Sequence, residues 1–160
     1  MASLSGTLPD GFVADSSLLV GISSGLPLAR RFAPILKFGV ANAAIMAETF
    51  AVIERRSGIK PDVVEQTFLT LGLRIEPFTI DMARQITYLK AVDQKRENEQ
   101  LQAGIQPEDV KTLSLGDLCC LSQAYCLDIP VVTGDMHWFS LIRHGLSVDL
   151  YDFRDRSVTP

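Results

Sequence analysis

Residues 113–141 read LSLGDLCCLSQAYCLDIPVVTGDMHWFSL. Ser114 and Asp117 form an S-x-x-D capping pattern that opens a helix running to Leu127. The apolar run IPVVT, 129–133, then reads as a strand of the kind buried inside a parallel sheet. Thr-Gly-Asp closes it, with Asp135 just past its end. A helix that feeds a parallel strand runs back across the sheet, so it starts at the edge where the strands finish. Asp117 and Asp135 therefore belong to the carboxyl edge of a sheet, where open α/β folds bind ligands.

Working outward, GFVADSS (11–17) reads as a first strand broken by Asp15, and 18–22 as a short helix ended by SSGLP. Residues 28–38 carry a helical pattern that Pro34 interrupts. Asn42 is placed to cap a helix over 43–56, closed by Ser57-Gly58. Lys60-Pro61 opens another helix to Leu71; LRIEPF (73–78) is a short strand, and Thr79 caps a helix to about Val92. Residues 94–112, QKRENEQLQAGIQPEDVKT, read as a mobile, polar surface loop with scope for some helix. Met136–His144 is a short helix and LSVDLYDF (146–153) a last alternating strand. Strands alternating with helices predict an α/β fold with a mostly parallel central sheet.

The 160 residues, 47% hydrophobic, suit one globular domain over 11–160 after a loose lead-in at 1–10. The lead-in lacks the basic and apolar regions of a secretory signal, and no apolar run is long enough to span a bilayer, which predicts a cytoplasmic protein. A mean hydropathy of +0.19 points to apolar surface covered by a partner or a second copy. Net charge is −4, which disfavours a non-specific nucleic-acid coat. The three cysteines, Cys119, Cys120 and Cys126, have neither disulfide-framework nor zinc spacing and read as reduced packing thiols.

Four acids stand out. Asp15 ends the first strand, Asp117 begins a helix, Asp135 follows the IPVVT strand, and Glu48 lies in AAIMAETFAVIERR with Ala44, Ile45, Ala51 and Val52 one turn away. A carboxylate on such an apolar stripe needs a partner, and no basic residue is near Glu48 in sequence. Each acid also has a plainer reading. Asp15 and Asp117 would serve as helix caps, Asp135 as a turn residue, and Glu48 would reach solvent along its own stem.

The segments VADSSLL, AIMAETFAVIERR, LSLGDLCCLSQAYCLDIPVVTGDMHWFSL and VDLYDF, in that order over residues 11–153, resemble the PIN domain, and most closely the VapC-type toxins of type II toxin–antitoxin modules. The resemblance implies a three-layer α/β/α sandwich. Its four acidic positions fall on Asp15, Glu48, Asp117 and Asp135, its small polar position on Ser16 and its hydroxyl position on Thr133. The chain departs from the pattern at Leu118, where arginine or another polar residue is usual, at Asn42, where serine is common, and in the length of 94–112.

Carboxylates without His or Cys partners suit a hard cation, Mg²⁺ or Mn²⁺. In this reading Asp15 and Asp117 are the principal ligands, Asp135 completes the site directly or through water, and Glu48 orients a ligating water. Ser16 and Thr133 donate hydrogen bonds. The resemblance implies a metal-dependent endoribonuclease that hydrolyses structured RNA, tRNA or rRNA, is held in check by a cognate antitoxin, and forms a homodimer. Arg30, Arg31, Arg55, Arg56 and Lys111 are candidates for gripping RNA, and the apolar region around LLVGISSGLPLARRFAPILKF for the antitoxin. Two rivals remain. A phosphotransfer domain needs an Asp pair or D-x-D after the first strand and a lysine after a later one, which this chain lacks. A non-catalytic PIN-like RNA-binding or scaffold protein has no need of the full acidic set.

Overall fold

The computed structural model describes residues 10–160. All but the last residue of the assigned lead-in thus lies outside the described residues. Among the described residues five short strands form one sheet: β1 (Phe12–Ala14), β2 (Gly39–Asn42), β3 (Arg74–Glu76), β4 (Val131–Thr133) and β5 (Leu150–Asp152). Their order is β3-β2-β1-β4-β5 and every pairing is parallel. The central strands β1 and β4 are buried along their whole length, as their uninterrupted apolar sequences require when helices cover both faces. Edge strand β3 is partly exposed and begins with the exposed Arg74.

The helices are α1 (Ser16–Ser23), α2 (Pro27–Arg30), α3 (Ala43–Ser57), α4 (Pro61–Thr70), α5 (Ile80–Gln102) and α6 (Leu115–Leu127). Helix α6 packs across β1, β2 and β4 and against α5. The chain leaves β1 toward β2 but leaves β4 toward β5, in the opposite direction. A crevice therefore opens between β1 and β4 at their carboxyl ends.

Four elements differ from the sequence reading. Gly39–Asn42, taken as a lead-in to the Asn42 cap, is strand β2; a lone Val40 between Gly39 and Ala41 was too short a β signal, yet the strand is buried throughout. The helix read over 28–38 ends at Arg30, and 33–38 follows as a tight 3-10 turn, because Pro34 cannot continue the α-helical ladder. The short helix read over 136–144 is a 3-10 turn, 138–144, anchored by buried Trp138 and Leu141. The largest difference is α5, which continues through the first half of the segment read as a loop and ends at Gln102. Its extra turns are held laterally by Glu99, which pairs with Arg143 at 3.0 Å and His144 at 2.8 Å; further back on the same helix Tyr88 Oη donates to the Gly145 carbonyl.

The candidate carboxylate site

Parallel pairing of Ala14 with Val132 sets Asp15 beside Thr133 at the end of the sheet. Asp15 is only 4% exposed. It caps α1, accepting from the Ser17 backbone N–H at 3.2 Å, and its Oδ2 also accepts from the hydroxyls of Ser17 and, at 2.9 Å, Thr133. The Thr133 hydroxyl in turn accepts from the Asp135 backbone N–H at 2.9 Å, so one side chain links Asp15 to the residue after β4.

The expected Ser16 donates to Asp15, and Ser17, which the sequence reading did not single out, completes the knot. Ser16 Oγ stands 3.5 Å from Asp15 Oδ1, whereas Ser17 Oγ bonds Oδ2 and accepts from the Gly134 N–H at 2.8 Å. A side chain on Gly134 would meet the Phe153 ring at 2.6 Å, so glycine is required for the chain to pass there. Ser17 was legible as the second residue of a helix capped by Asp15, a position whose side chain turns back toward the cap.

Asp117 lies one turn into α6. Its Oδ2 accepts from the Ser114 N–H at 2.8 Å while its own N–H donates to Ser114 Oγ at 3.1 Å, a complete capping box. Helix α6 is set over the sheet by Asn42, which caps α3 through Oδ1 and donates through Nδ2 to the Cys119 carbonyl and to Gln123, both at 3.1 Å. An amide at position 42 does what the shorter serine hydroxyl cannot: it caps one helix and grips another. Leu118, where the resembled family has a polar residue, is buried in the core, so no cation is supplied beside Asp117.

Glu48 does not occupy the buried stripe expected of it; it is exposed. It nevertheless leans on the start of α6, with its Oε2 3.0 Å from where a Cβ on Gly116 would lie. Burial raises the Asp15 carboxyl above its ordinary range against the pull of its hydrogen bonds, and the charge of Glu48 adds to the rise. Burial likewise pushes Asp117 up to about 6 despite its capping bonds, with Asp15 and Glu48 contributing. The Cys120 thiol is raised well above its usual value by burial and by Asp15, Asp117 and Glu48 together. The charges of the three acids thus act against one another.

Asp135 stands apart from this group. It reaches the same edge through its backbone, but its Oδ1 accepts from the His137 N–H at 2.9 Å in a local turn. All three aspartates therefore fill the cap or turn roles open to them. A cap alone leaves the rest unexplained, because a carboxylate that only caps a helix is favoured as the anion.

Among the described residues no ion pair involves Asp15, Glu48, Asp117 or Asp135. As the side chains stand, no group of three or more His, Cys, Asp or Glu residues among those described is arranged to hold a metal ion. The expected four-acid cage is thus not closed, because Asp117 Oδ2 and Asp135 Oδ1 face backbone donors. The donor chemistry still fits a hard cation: the donors are all carboxylate oxygens, and no ion pair among the described residues compensates them.

Of the basic residues expected to grip RNA, Arg31 is spent on the Val158 carbonyl at 2.7 Å. Arg55 and Arg56 lie in the last turn of α3, about 10 Å beyond Glu48 along its axis. Lys111 is exposed on the segment that leads into α6, and Arg30 is exposed on α2. The cysteines are free, with Cys119 and Cys120 buried. No described helix is long and apolar enough to cross a membrane.

No protein-family model matches the chain, and no curated protein matches it. Solved structures do. A toxin–antitoxin complex from Klebsiella pneumoniae superposes with a TM-score of 0.60 at 15% identity, covering 91% of this chain and 99% of that one. VapC20 of Mycobacterium tuberculosis, a toxin that cleaves the sarcin-ricin loop, gives 0.56 at 16% identity over 85% and 96%. VapBC-1 from nontypeable Haemophilus influenzae gives 0.58 at 13% identity over 90% and 98%. The chain has the fold of these toxins over nearly their whole length.

Proposed function

We propose that this chain, built on the VapC-type fold, is a metal-dependent endoribonuclease and the toxin of a toxin–antitoxin pair. The observation that carries the reading is the group Asp15, Glu48 and Asp117: a buried acid and a half-buried one, both with raised pKa values, beside a third carboxylate and without a protein cation. Such an arrangement opposes folding unless a cation enters, so its position in the crevice calls for a ligand. The Mycobacterium tuberculosis neighbour is a sarcin-ricin loop cleaving toxin, which supports structured RNA as the substrate class.

In this reading Asp15 and Asp117 hold Mg²⁺ or Mn²⁺, with Asp135 joining directly or through water. A cation held there would supply a water of lowered pKa and stabilisation of charge on the scissile phosphate. Thr133 and Ser17 fix the Asp15 carboxylate, and Glu48 orients water at the exposed side. Water oxygen bonds to phosphorus, the bond to the 3′ oxygen breaks, and that oxygen takes a proton, leaving 5′-phosphate and 3′-hydroxyl ends. The exposed Arg30 and Lys111 are the basic residues this reading assigns to RNA.

Toxin–antitoxin and VapBC assemblies among the structural neighbours support an antitoxin partner. A groove of about 520 Å³ between α1–α2 and α4, lined by Ile22, Ala33, Ile59, Val63, Phe68 and Leu71, offers it apolar seating. A homodimer and a cytoplasmic location belong to the same proposal. The rival, a non-catalytic RNA-binding scaffold, draws on the cap and turn roles of the three aspartates.

The test is cleavage of total RNA by purified protein. Asp15→Asn and Asp117→Asn should each lower the rate at least about a hundredfold with the fold kept, and EDTA should abolish cleavage until Mn²⁺ is restored. Cleavage indifferent to EDTA and to both substitutions contradicts the reading.

A further inference from the structure

Asp93 and Arg96, one turn apart on α5, form an ion pair that is 5% and 1% exposed. Each partner also holds a different stretch of chain. Asp93 Oδ2 accepts from the Leu113 N–H at 2.8 Å. Arg96 Nη2 donates to the Lys111 carbonyl at 2.7 Å and Nη1 to the His137 carbonyl at 3.3 Å. Leu113 immediately precedes Ser114, whose capping box sets Asp117. His137 is the residue whose N–H holds the Asp135 carboxylate.

Stability alone does not account for this pair. Burying two charges costs about as much as their attraction returns, and apolar side chains of similar size often serve as well. Arg96 Nε is buried without a partner, a further cost. Leucine and methionine, however, would supply no directed hydrogen bonds. The guanidinium fork reaches two carbonyls on segments that are remote in sequence, and the carboxylate takes the amide beside one of them.

The geometry points to Asp93 and Arg96 as positioning residues that jointly fix the chain segments carrying Asp117 and Asp135. They touch neither substrate nor cation and act through Lys111, Leu113 and His137. The catalytic side of this inference rests on the nuclease reading; its structural side does not.

The test is the double variant Asp93→Leu/Arg96→Met, which removes both charges and leaves neither stranded. Its thermal midpoint should stay near that of the parent. Amide exchange at Asp117 and His137, whose N–H groups the pair does not touch, should quicken at least about tenfold, and kcat for RNA cleavage should fall at least about tenfold with KM within about threefold. Arg96→Lys, which keeps the charge but not the fork, should recover part of both losses, and it decides the matter by the same readouts should the double variant not fold. Parental exchange or parental kcat in a folded variant overturns the proposal. A wild-type protein that cleaves no RNA sinks the nuclease reading instead, and exchange at Asp117 and His137 then decides the positioning claim alone.

Discussion

Asp15 and Asp93 are both aspartates withdrawn from water, one at the carboxyl end of β1 and one in the middle of α5. Asp93 has a guanidinium against it and a backbone amide on its other oxygen. Asp15 has hydroxyls and a backbone amide, and among the described residues it has no ion pair, only the repelling charge of Glu48. The same residue type at the same burial thus meets two fates. Where the chain supplies the cation, the acid builds structure; where it supplies none, burial holds the carboxyl above its ordinary range, and the proposed reading fills that place with a cation from outside. Burial of an acid says little about function until its counter-charge has been traced.

The largest effect should come from breaking the satisfied pair. Arg96→Ala strands Asp93 in the interior and should cost about 3–5 kcal/mol in urea unfolding, far more than removing both partners together. Equal losses for the single and double variants would show that Asp93 finds other compensation.

The unsatisfied group should behave in the opposite sense, as a pH dependence. Asp117 rises from 3.8 to about 6 on folding, so the folded state binds its proton more tightly than the unfolded chain. Its contribution is therefore greatest below 3.8 and is lost as pH rises toward 6. About 1–2 kcal/mol should disappear across that window once solvent screening of this half-buried group is allowed for. Asp117→Asn should flatten the loss, and Mn²⁺ should restore stability at pH 7 far more than at pH 4. A profile unchanged by either would mean that the crowding is relieved without a cation.

The smallest effect belongs to the exposed clasp that runs alongside the buried pair. Glu99→Gln loosens contacts to Arg143 and His144 on the surface and should change stability by less than about 1 kcal/mol. A loss near that of Arg96→Ala would shift the anchoring of α5 from its buried face to its surface.

The contrast also explains what could be read from the sequence. The IPVVT run, the S-x-x-D start and Asp15 after an apolar strand carried the parallel sheet and its carboxyl edge, because burial on both faces and capping leave local signatures. β2 left almost none, since its one strand-favouring residue, Val40, stands between Gly39 and Ala41, which become a strand only between neighbours. Glu48 was misplaced because helical spacing names its neighbours but not where a long side chain ends. Residues 94–102 looked like a loop because their charges hid a continuing stripe: Leu89, Val92, Asp93 and Arg96 follow helical spacing, with an ion pair where apolar residues would stand. The partners that make the pair worthwhile, Lys111, Leu113 and His137, are too distant in sequence for any local pattern to reveal. The same limit hid the link from Ser17 through Gly134 to Thr133.

The central claim is that Asp15, Glu48 and Asp117 make one cation site. Anomalous diffraction from crystals grown with Mn²⁺ tests it most directly. The account predicts a manganese peak between these three carboxylates, absent in Asp15→Asn crystals grown the same way. A manganese-saturated crystal with no peak there, or one in which Asp117 still faces Ser114 and the metal lies elsewhere, would contradict it.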